Sequence, residues 1–132
     1  MPTTLNSFEL KQRAPGVRHY CGRFTTNATA DPDIVIGEGY TVAYSATGVF
    51  TITFDQYFDV VLCAQAFLNA AATTEVRASV TSFTAGSSAA NATLVISTAI
   101  LDTGAYVADA SSDGDYIHFE FYAQKLSENS NG

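Results

Sequence analysis

Hydrophobic and polar positions alternate most regularly between Tyr40 and Phe54, YTVAYSATGVFTITF. Val42 and Tyr44 precede an Ala-Thr-Gly connection; Phe50, Ile52 and Phe54 follow it at every second position, with Thr51 and Thr53 between. A two-residue period puts the apolar set on one sheet face and the threonines on the other. Gly48 supplies the positive φ that a tight reversal often needs. The pattern predicts a β-hairpin with one buried face. The same period returns near the end, where Ile117, Phe119, Phe121 and Ala123 alternate with Tyr116, His118, Glu120, Tyr122 and Gln124.

Weaker versions fill the rest of the chain. Residues 17–25 read as a strand with two mixed faces, Val17, His19, Cys21 and Arg23 against Arg18, Tyr20, Gly22 and Phe24. That suits an edge strand, or one packed on another chain. Residues 58–69 set Phe58, Val60, Leu62, Ala64, Ala66 and Leu68 together. Helix is the rival reading there, and the β-rich start favours strand. Val76, Ala78 and Val80 turn inward in the next run; Leu94, Ile96 and Thr98 share a side in the one after. Ile34 to Ile36 read as a short bridging strand behind the turn chemistry of Asp31-Pro32-Asp33. Residues 84–92 and 102–114 read as loops. The expectation is an all-β chain: a single β-sandwich, jelly-roll-like, over residues 17–126, with an extended N-terminal arm over 1–16 and a polar tail over 127–132.

Composition changes this picture mainly at the surface. The 132 residues are 47% hydrophobic but only 14% charged, against about 25% charged in an average domain. Many exposed positions are therefore small and neutral, which suits either subunit packing or a plain soluble surface. No apolar run approaches the ~20 residues of a membrane-spanning helix. The first residues lack the basic start and apolar core of a secretory signal. Cys21 and Cys63 fall in strand-like runs without metal-ligand spacing, and the expectation is two free, buried thiols in a reducing compartment.

Charge is unevenly placed within the net −7. Residues 1–23 hold Lys11, Arg13, Arg18 and Arg23 against Glu9, a net +3, which leaves −10 on the remainder. An acidic body repels phosphates, so nucleic acid is not the expected partner. The basic segment also carries Leu5, Phe8 and Leu10, with Phe8 and Leu10 alternating about Glu9. Such a segment either docks on a groove or sheet edge of a neighbour or straps its own core. The candidate partner-binding residues are Leu5, Phe8, Leu10, Lys11, Arg13 and Arg18.

Candidate chemistry is sparse. His118 and Glu120 lie two apart on one strand face, within hydrogen-bonding reach, and His19 is the other histidine. Asp109, Asp113 and Asp115 around Gly114 lack the ordering of a calcium loop. No nucleophile elbow, zinc-protease helix, P-loop or dinucleotide fingerprint occurs. The expectation is a protein without catalysis and without a metal or other cofactor.

Gly22-Arg23-Phe24, the run from Ala46 to Phe54 and the run from Tyr116 to Tyr122 together resemble small virion structural proteins of tailed bacteriophages, of the head decoration or cement kind. The resemblance extends over roughly residues 20–125. It implies a sandwich body assembled as a homotrimer on the capsid exterior, with a terminal arm gripping the major capsid protein. It also admits a receptor- or glycan-binding head of a fibre or spike. Exposed loop aromatics, such as Tyr57 and Tyr106, are the mark of that second reading. A small jelly-roll enzyme is a third; it requires His19 and His118 to converge with acids in one pocket.

Overall fold

In a computed structural model of the chain, the described residues are 16–27, 29–69, 76–102, 105–108 and 115–125. They contain nine strands and no helix: β1 (Val17–Thr25), β2 (Val35–Ile36), β3 (Tyr40–Ala46), β4 (Val49–Phe54), β5 (Val60–Asn69), β6 (Val76–Thr84), β7 (Thr93–Asp102), β8 (Ala105–Ala108) and β9 (Tyr116–Gln124). Two antiparallel sheets form, in the orders β2-β1-β9-β5 and β3-β4-β7-β6, with β8 also paired to β7. The chain passes back and forth between the sheets, so β1 pairs with β9 over its full length, from Val17↔Gln124 to Thr25↔Tyr116.

The sheets face each other across an aromatic core. Phe24, Phe119 and Phe121 come from the first sheet; Phe50, Ile52 and Phe54 come from the second. Phe54 stacks on Phe121 at 4.2 Å, and Phe24 meets Phe50 at 5.4 Å. Leu94, Ile96 and Ile117 fill the layer beside them, all fully buried. The predicted hairpin is thus the observed β3–β4 pair, turning at Thr47-Gly48 with Gly48 at φ 68°. Thr98 caps the turn through its amide, which donates to the Gly48 carbonyl at 2.7 Å.

Tyr20 adds a polar tie at the rim of this core. Its hydroxyl donates to Asp55 at 2.6 Å and accepts from the Gln56 amide at 2.9 Å. Burial, followed by the bond to Asp55, pushes the Tyr20 phenol up to about 12, and burial does the same for Tyr40. The folded pKa therefore exceeds the unfolded value near 10. Folding holds these protons more tightly, so stability is full below pH 10 and is lost as pH rises from about 10 to 12. Alkaline titration followed by near-ultraviolet circular dichroism should show unfolding in that window. Tyr20→Phe should remove part of the pH dependence; an unchanged profile would count against burial as its cause.

Three strand pairings carry register shifts: β3 with β4 between Tyr44 and Ala46, β5 with β9 between Val61 and Cys63, and β6 with β7 between Val80 and Ser82. The shift in β5 corrects the expected alternation. Ala64, Ala66 and Leu68 pack on the core as predicted, but Val60 and Leu62 are exposed while Val61 packs inward. An extra residue at the bulge reverses the face of everything before it. The Ala105–Ala108 strand lies where a continuous loop was expected.

A candidate docking face on the four-stranded sheet

The outer surfaces of the two sheets differ in chemistry. On the β3-β4-β7-β6 sheet, threonine and serine dominate and bond to one another: Ser45 with Thr51 at 2.6 Å, Thr84 with Thr93 at 2.9 Å and Thr81 with Ser97 at 3.4 Å. The outer face of the other sheet gathers both histidines and both cysteines of the chain. Register arranges them in rows across β1, β9 and β5. His19, Tyr122 and Cys63 form one row; Cys21, Glu120 and Gln65 form the next; Arg23, His118 and Phe67 form the third.

Rings cover this face. His19 lies 4.1 Å from Tyr122 and nearly parallel to it, and Phe67 lies 5.0 Å from His118 in the same manner. The Arg23 guanidinium sits 4.7 Å over Tyr116. Glu120 accepts from the Gln65 amide at 2.5 Å and has His19 Nε2 at 3.9 Å. Its partners are thus on the flanking strands, Gln65 directly opposite on β5 and His19 diagonally across on β1, both within the reach of cross-strand neighbours.

A groove of about 360 Å³ crosses the face. Ile36 and Gly37 form one wall and Phe67 the other, with Cys21, Arg23, His118 and Glu120 between. Phe67 is 57% exposed and Ile36 is 45% exposed, large values for such side chains. Tyr40 holds the Ile36 wall by donating its hydroxyl to the Ile36 carbonyl. Gly22 permits this approach, since a Cβ there would fall 2.6 Å from that carbonyl and inside the Tyr40 ring's contact distance.

Cys21 and Cys63 are free, as expected, but exposed and not buried. Both occupy outward positions, on two strands separated by β9. His118 lines the groove and His19 does not, so the two histidines do not share one pocket with acids. Among the described residues no three His, Cys, Asp or Glu side chains are placed to hold a metal ion. Leu5, Phe8, Leu10, Lys11 and Arg13 lie outside the described residues, as do Asp109 and Asp113. Arg18 is exposed but pairs with buried Ala123, on the core side of β1 and away from the groove. Tyr57 is exposed beside β5 with the Lys125 ammonium 4.6 Å over its ring.

Comparison of the chain with models of known protein families, with curated proteins and with solved structures found no match.

Proposed function

We propose that this chain is a structural protein of a tailed-phage particle, a head decoration protein that binds assembled major capsid subunits. The reading rests on one observation: the two outer sheet faces differ, one a hydroxyl-bonded surface with Arg77 on its β6 margin, the other exposed rings, thiols and apolar side chains around Arg23 and Glu120. A decoration protein has one face for the shell and one for solvent. Binding assembled subunits and not free ones stabilises the shell, as any ligand of one state does. Several copies linked as a trimer would add avidity. No reacting group is needed for this role, and neither nucleic acid nor membrane is a partner in it.

A second reading is favoured by the groove itself. The Phe67–His118 stack beside Arg23 and Glu120 offers a flat apolar platform next to polar groups, the arrangement a sugar ring requires. In that reading the chain is the receptor- or glycan-binding head of a fibre or spike.

Antibody labelling of intact particles separates the two. Gold on the head shell is expected; gold on fibres or spikes supports the second reading, and unlabelled particles overturn both. Co-sedimentation with emptied heads gives the quantitative check. Phe67→Glu should weaken binding roughly tenfold or more, since a central aromatic anchor carries much of an interface's energy. Thr41→Glu, on the hydroxyl-rich sheet, should leave it unchanged.

A further inference from the structure

We infer that the groove on the four-stranded sheet takes a sugar acid, with its carboxylate at Arg23 and its hydroxyls at Glu120. The inference rests on the glycan reading of this groove and deepens it by naming the charge of the sugar. Arg23 is the one lysine or arginine among the lining residues. Its guanidinium lies 4.7 Å over the Tyr116 ring, and among the described residues it makes no ion pair. The ring positions the cation without neutralising it. The planar N–H fork of an arginine matches a carboxylate with two parallel hydrogen bonds.

The opposite charge stands at the other end. Along β9 the order is Tyr116, His118, Glu120. Tyr116 and Glu120 are four residues apart, ~13 Å of strand. Arg23 pairs with His118, and its guanidinium is drawn to the Tyr116 end. Glu120 is held by the Gln65 amide. Its side chain is 37% exposed, so oxygen lone pairs remain for a ligand. One end of the groove therefore attracts an anion; the other accepts from hydroxyls and repels an anion. A sugar acid carries both kinds of group on one ring. A single guanidinium balances a single negative charge, and a chain of net −7 repels a more highly charged phosphate sugar.

The apolar walls fit the rest of the ring. Phe67, 57% exposed, stacks on His118 at 5.0 Å and 8° from parallel, so each ring braces the other. Ile36 lies across the groove, fixed through its carbonyl by the Tyr40 hydroxyl. The C–H surface of a sugar packs on such side chains and removes apolar area from water. Walls held in advance lose little freedom when a ligand enters. At about 360 Å³ the groove lies at the small end of ligand sites, which span ~300–1,000 Å³.

The test is a nuclear magnetic resonance titration of the full chain with glucuronate, galacturonate and N-acetylneuraminate, each beside its neutral methyl ester. At least one acid should bind roughly tenfold tighter than its ester, the size of one charge-assisted contact. Arg23→Gln should abolish that preference while the ester binds as before. Phe67→Ala should weaken acid and ester alike. Equal binding of acids and esters, or a preference that survives Arg23→Gln, would overturn the inference and leave the glycan reading standing. Binding unaltered in Phe67→Ala would put the sugar outside this groove and overturn it as well. No binding of any acid or ester would overturn both the inference and the glycan reading.

Discussion

Phe54→Ala should destabilise the domain by about 3–5 kcal/mol, measured as a fall in the urea midpoint with little change in slope. Phe54 is 1% exposed and stands at the centre of the ring cluster. It stacks on Phe121 at 4.2 Å and meets Tyr20 at 4.7 Å and Phe119 at 6.4 Å, so it touches β1 and β9 together. Neighbouring rings are held by their own strands and cannot collapse into the void. Against a total stability of about 5–15 kcal/mol, the loss approaches global unfolding. Thr53→Ala, one position away on the hydroxyl face, should cost under about 1 kcal/mol. Equal effects at the two positions would mean that the sandwich core does not lie between these faces.

Gly22→Ala should separate β2 from β1 and widen the groove while the rest of the sandwich stays folded. Gly22 lies mid-strand, opposite Phe119 on β9. The added methyl would meet the Tyr40 hydroxyl and ring and the Ile36 carbonyl, 2.6 Å away. The carbonyl is main chain and cannot rotate aside, so either β2 or the strand holding it must move. A local cost of about 1–3 kcal/mol follows from such overpacking. Hydrogen exchange should quicken at Arg23 and Ile36, whose residues pair across β1 and β2, and stay slow in β4 and β7. If the exchange pattern is unchanged, the Tyr40–Ile36 contact is not what holds the groove wall.

The central hairpin and the last strand were legible because a strict two-residue period leaves no alternative. Phe50, Ile52 and Phe54, and Ile117, Phe119 and Phe121, all reached the core as their spacing required. Residues 60–62 were misread because a bulge adds one residue without any local signature, and the period silently changes phase. The cysteines were placed inside on their usual preference, but their parity on β1 and β5 carries them outward. Alternation already had Cys21 beside His19 and Arg23, a mixed face that argued for exposure. The groove was not legible at all. Arg23 meets His118, and Cys21 meets Glu120, only through the pairing of the first and last strands. No local pattern reports a pairing across so much chain. The Ala105–Ala108 strand is short and sits in a polar stretch, so its alternation is too brief to register.

The three register shifts also bear on fibril growth. Among the described residues, β3, β5 and β6 are the long strands at sheet margins, and each takes part in one of these shifts. A bulged margin twists and breaks its row of amides, so two such margins do not zip together. The regular margins are at β2 and β8, two and four residues long. A chain rich in threonine, alanine and valine is thereby kept from stacking sheet upon sheet, even where many copies are crowded at high local concentration.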